Sequence, residues 1–150
     1  MDEGEVTINA KLKGENKNIP DLNENARNVL CFQGLICMGQ YAAAGELMTE
    51  DACVYLPNTR EIFRGRDKYV AFNQKYPGEW AMETEAVYTD PETDTIIAVS
   101  LVRSKTEKQS YYLTAFYHFT GTLIDRIIEY WGENGEPPEW RKKAKLSERY

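Results

Sequence analysis

The chain has 150 residues, 42% of them hydrophobic and 12% aromatic, with a net charge of −6 and an isoelectric point near 4.9. That length suits one domain with a sizeable core, and the apolar content excludes a disordered, solvating chain. The acidic balance offers nothing to a phosphate backbone, and no apolar run is long enough to cross a bilayer, so neither nucleic acid nor membrane is an expected partner.

Residues 1–18 read as a polar N-terminal arm in which Val6-Thr7-Ile8 could pair as an edge strand. The acidic start, Met1-Asp2-Glu3-Gly4-Glu5, lacks the basic and apolar regions of a signal peptide. A domain over 19–135 follows. Pro20-Asp21 opens a helix that Asp21 or Asn23 can cap, with Glu24 suited to its first turn. From Val29 to Tyr41 nearly every side is apolar, with Gln33 and Gln40 as one narrow polar stripe, the pattern of a mostly buried helix.

Gly39 to Met48 reads as a second, shorter helix, and Thr49-Glu50-Asp51 as a turn. Cys53-Val54-Tyr55-Leu56 is a short strand stopped by Pro57, and Ile62-Phe63 a second one. Arg66 to Tyr76 is a helix with Tyr69, Phe72, Asn73 and Tyr76 on one face, ended by Pro77-Gly78. Strands then fill Trp80 to Tyr88, Thr95 to Arg103, Gln109 to Phe119 and Leu123 to Trp131, separated by polar turns. Helices first and hairpin strands after imply an α+β fold with an antiparallel sheet. Residues 136–150 form a charged tail, whose Arg141, Lys142, Lys143 and Lys145 are expected to be solvated.

The strands do not alternate as a one-sided sheet would. Leu113, Ala115, Tyr117 and Phe119 share one face, while Tyr112, Phe116, His118, Ile128 and Tyr130 share the other. Helices can cover the first face. A second copy of the chain, in a homodimer, is the simplest cover for the other. Cys31, Cys37 and Cys53 form no Cys-x-x-Cys pair. They read as small buried hydrophobes in a reducing, cytoplasmic setting, with neither a disulfide framework nor a zinc site.

Three segments together resemble one superfamily. They are Gly39 to Asp51 running into Ala52-Cys53-Val54-Tyr55-Leu56-Pro57, then Phe63-Arg64-Gly65-Arg66-Asp67-Lys68-Tyr69-Val70-Ala71-Phe72, then Ile127-Ile128-Glu129-Tyr130-Trp131. Over residues 22–133 the chain is similar to the nuclear transport factor 2-like, or SnoaL-like, proteins. The resemblance implies a cone-shaped, cystatin-like roll: a curved antiparallel sheet wrapped over helices, with a pocket in its concave side and homodimers through the outer sheet face. Ketosteroid isomerase, scytalone dehydratase, limonene epoxide hydrolase, polyketide cyclases and non-catalytic binding proteins share that fold.

Carried over residue by residue, the isomerase's general-base Asp falls on Leu56, its oxyanion-hole Tyr on Phe32 and its protonated Asp on Ala115. All three are apolar, so steroid isomerisation is rejected. No Asp-Arg-Asp set of the epoxide-hydrolase kind can be placed in the pocket, and the single histidine, His118, points to the outer face. The same alignment and strand parity direct Phe32, Ile36, Leu56, Phe72, Asn73, Leu113, Ala115, Tyr117, Ile127, Glu129 and Trp131 toward the pocket, with Tyr76 nearer its mouth.

Glu129 is the one ionisable group expected inside. Its carboxyl either finds partners, for which Asn73 and Tyr117 are candidates, or has its pKa raised by desolvation, as a general acid or base requires. It could instead lie at the rim, solvated or paired with an arginine, or serve only to hydrogen-bond a ligand. Arg64 and Arg66 flank a glycine at a helix start, where a solvated start is the simpler alternative to anion binding. The expected ligand is a small apolar molecule, without metal or organic cofactor. The competing readings are a cofactor-independent lyase, isomerase or hydrolase using Glu129, and a protein-interaction module acting through the outer face.

Overall fold

A computed structural model describes residues 22–150. The arm, its Val6-Thr7-Ile8 pairing and the Asp21 cap therefore lie outside the described residues. Helix α1 spans Glu24–Cys37 and is capped by Asn23, whose side-chain oxygen accepts from the Ala26 amide at 2.7 Å. Glu24 sits in the positive first turn, where a carboxylate is favoured. The helix stops where Gly39 takes a φ of 73°, a conformation costly for any residue with a Cβ.

Helix α2 is shorter than the sequence predicts, covering Tyr41–Gly45. Strand β1 correspondingly starts early and runs Met48–Leu56, so Thr49, Glu50 and Asp51 are strand rather than turn. Its pairing with a distant strand outweighs the turn preference of three polar residues. Strand β2 (Glu61–Arg64) folds back on β1, and Gly65, at φ 98°, turns the chain into α3 (Arg66–Lys75).

Four long strands follow: β3 (Trp80–Thr89), β4 (Ile96–Ser104), β5 (Ser110–Thr120) and β6 (Leu123–Glu133). The charged tail carries one further short helix, α4, over Glu139–Ala144, with no buried residue.

The fold is α+β, with a single six-stranded curved sheet in the order β2-β1-β6-β5-β4-β3. All neighbours are antiparallel except β1 and β6, which run parallel with Val54 opposite Ile127. A parallel pair needs a long crossover. Here that crossover is nearly the whole domain, so the first and closing strands lie side by side. Helices α1 to α3 cover one face of the sheet. Ala26, Val29 and Phe32 of α1 join Ile96, Ala98, Leu113, Ala115, Tyr117, Ile124 and Ile127 in the buried core. The opposite face carries Tyr112 and Tyr130, 43% and 47% exposed, and no helix among the described residues packs over it.

Candidate functional site

The helices do not fill the concave side. A cavity of about 400 Å³ remains between them and the sheet. Helix α1 contributes Phe32, Gln33 and Ile36, because positions three and four apart share a helix face. From α3 come Tyr69, Phe72 and Asn73, with Tyr76 half-exposed at the opening. The end of β1 adds Leu56, and β3 adds Trp80 and Met82. Strand β5 supplies Tyr111, Leu113 and Tyr117, and β6 supplies Glu129 and Trp131, each set sharing one face of its strand. Exposed Glu79 and Lys105 stand at the outer edge.

Glu129 is only 3% exposed. Tyr69 donates its hydroxyl to Glu129 Oε1 at 2.5 Å, and Trp131 Nε1 donates to Oε2 at 3.0 Å. Among the described residues no lysine, arginine or histidine pairs with it. The rim position and the arginine partner considered from sequence are therefore not what the structure has. Desolvation pushes the Glu129 pKa up, and the two donated hydrogen bonds partly oppose it. Burial and the facing carboxylate together push both the Tyr69 and Tyr117 phenols up, so both hold their protons.

The expected partners of Glu129 are engaged elsewhere. Asn73 Nδ2 donates to the Tyr69 carbonyl at 2.9 Å, one helical turn back. The Tyr117 hydroxyl accepts from Gln33 Nε2 at 2.9 Å. Gln33 Oε1 in turn accepts from Thr84 at 2.5 Å and Ser100 at 3.1 Å. Both lone pairs of that oxygen are used, which is how an amide is tolerated at 2% exposure.

Sequence reasoning placed Gln33 on a polar stripe. The structure corrects this, and the available signal was its spacing from Val29 and Ile36, which puts it on the inward face. Tyr69, Trp80 and Tyr111 were also absent from the expected lining. Tyr69 was legible from its helical spacing to Phe72 and Asn73.

Two expected lining residues do not reach the cavity. Ala115 and Ile127 are fully buried in the core, where Ala115 pairs across the sheet with Glu129 and Ile127 with Tyr117. His118 is half-buried on the outer face, 3.3 Å from the Thr95 hydroxyl, its pKa lowered by burial and by Arg126. Arg66 Nη1 donates to the Met48 carbonyl at 3.3 Å, and Arg64 is exposed. The three cysteines are free and half-buried rather than core. No group of three or more His, Cys, Asp or Glu among the described residues is placed to hold a metal ion. No helix among them is long and apolar enough to cross a membrane.

The fold and its concave cavity define the class: this chain has the nuclear transport factor 2-like fold, the ketosteroid isomerase-like architecture. A candidate ketosteroid isomerase from Kribbella flavida superposes with a TM-score of 0.73 at 24% identity, covering 85% of this chain and 90% of that one. An NTF-2 like protein of unknown function from Burkholderia xenovorans gives 0.70 at 16% identity, covering 85% and 95%. An LEH-like epoxide hydrolase from M. tuberculosis gives 0.61 at 10% identity, covering 73% and 83%. At such identities the likeness is one of fold. Neither a protein-family model nor a curated protein matches the chain in sequence.

Proposed function

We propose that this protein binds a small, largely apolar molecule in its concave cavity, with Glu129 as the polar anchor. One observation carries the reading: a carboxylate only 3% exposed faces an aromatic-walled cavity of about 400 Å³. Small-molecule sites typically occupy roughly 300–1,000 Å³ and carry few polar groups among apolar ones. Phe32, Ile36, Leu56, Phe72, Leu113 and Trp131 would enclose the ligand body, with Tyr76 at the entrance. Asn73 uses its amide nitrogen on the backbone, leaving its oxygen for the ligand. Tyr117 receives a bond from Gln33 and keeps its own proton to donate.

A second reading is favoured by the raised pKa of Glu129, the direction of shift that a carboxyl acting as general acid or base needs. In that case the protein is a cofactor-independent lyase, isomerase or hydrolase. Steroid isomerisation is not part of the proposal, because its acid, base and donor positions are Ala115, Leu56 and Phe32. A Glu129→Gln variant separates the two readings. If Glu129 moves a proton, turnover of any accepted substrate falls by about 10²-fold or more while binding persists. If no candidate substrate is turned over and the Gln form binds equally well, only the binding function remains.

The outer sheet face, with Tyr112, Phe116, Ile128 and Tyr130, supports a homodimer. Three free cysteines suit a reducing cytoplasm. The same outer face would serve another protein if the chain does not pair with itself.

A further inference from the structure

Glu129 lies on a closed circuit of aromatic side chains. From its Oε1 the path passes through the Tyr69 hydroxyl to the Tyr69 ring, then to Phe72 at 6.2 Å between centroids and Tyr76 at 5.5 Å. It continues to Trp80, Tyr111 and Trp131 in three further steps of 6.0 Å each. The Trp131 indole N–H then returns it to Glu129 Oε2. All seven residues line the cavity.

Trp131 Nε1–H donates to Glu129 Oε2, Oε1 shares a hydrogen bond with the Tyr69 hydroxyl, and each oxygen retains a free lone pair. A buried charge normally has an opposite charge beside it. Among the described residues none reaches Glu129, and Lys105, the cavity's basic residue, is exposed at the outer edge beside Glu79.

The faces of electron-rich rings attract cations and repel anions through their quadrupoles, an effect worth most where water is excluded. Carboxylate and rings therefore favour the same sign of ligand charge.

We propose that the cavity selects a cationic ligand, an amine or quaternary ammonium compound with an apolar body, whose positive group sits against Glu129 inside the ring of aromatics. This names the ligand class of the binding site proposed above and rests on that reading. The missing counter-ion of Glu129 is then supplied by the ligand. An anionic molecule of the same shape meets the buried carboxylate and is refused. A neutral one gains only apolar burial.

Three probes of matched size decide the matter: benzyltrimethylammonium, its uncharged carbon isostere neopentylbenzene, and phenylacetate. Binding is followed by the fluorescence of Trp80 and Trp131, both in the cavity wall, and checked by calorimetry. The expected result on the wild-type protein is that the cation binds about tenfold or more tighter than the isostere, and phenylacetate weakest. That comparison needs no variant. In a Glu129→Gln protein whose circular dichroism matches wild type, the preference for the cation over the isostere falls several-fold. If the isostere binds as well as the cation, the cavity accepts small molecules but the charge selection is overturned. If none of the three binds, the binding site itself is overturned, and the inference with it.

Discussion

Glu129 opposes folding when it is ionised. Burial raises its pKa above the ordinary 4.5, so the folded protein binds this proton more tightly than the unfolded chain does. Between the unfolded and the raised folded value, stability therefore falls as pH rises. The full benefit is present below the unfolded pKa and is gone above the folded one. Relative to Glu129→Gln, the wild type should gain stability as pH falls through the raised folded-state pKa toward the ordinary 4.5. The exposed, lowered carboxyls Asp90 and Glu136 are common to both proteins and cancel. Paired urea melts across that range check this, and a flat difference would show that Glu129 is not desolvated.

Tyr69→Phe removes one of the two donors and leaves its oxygen bare. It should cost about 1–3 kcal/mol in the same melts and move the pH window upward, because the lost bond is one that lowers the Glu129 pKa.

At the scale of elements, helix and strand were largely legible because each has its own apolar period. The predicted strands at Trp80–Tyr88 and Thr95–Arg103 correspond to β3 and β4, since the first alternates, the second is rich in β-branched residues, and the turn between them is polar. Thr49-Glu50-Asp51 was misread because its strand character comes from pairing, which local preference does not encode. The same limit hid the partners of Glu129: which hydroxyl reaches a carboxylate depends on how α3 lies over β6.

Element packing makes a prediction of its own at Gly45. A Cβ there would stand 2.9 Å from Val70 Cγ2, where α2 meets α3. Valine has little rotamer freedom on a helix. Gly45→Ala should therefore cost about 1–3 kcal/mol through overpacking, although alanine is the better helix former. A raised melting temperature would mean the two helices yield more easily than their spacing implies.

For the whole molecule, the sheet has two partly apolar faces, and among the described residues helices cover one of them. The outer face stacks Phe116 against Tyr130 edge-on at 5.8 Å, with Tyr112 nearby on the same strand. If two copies bury this face together, light scattering gives twice the 17.3 kDa chain mass. Tyr130→Glu then sets a charge in the interface and shifts the protein to monomer, with little effect on the cavity behind the sheet. A wild-type protein that is monomeric at high concentration would leave that surface for a different partner.

By itself the sequence determined the α+β class, the order of elements and the inward parity of Glu129 and Trp131. Those depend on periodicity and on short-range turn chemistry, which the order of residues carries directly. The tertiary structure alone decided that β1 lies parallel to β6 and that Tyr69 rather than Asn73 or Tyr117 holds the carboxylate. It also decided that a hollow remains and that Ala115 and Ile127 do not reach it. Each depends on how elements distant in sequence are spaced against one another, and that spacing is set by side-chain volumes summed across the whole core.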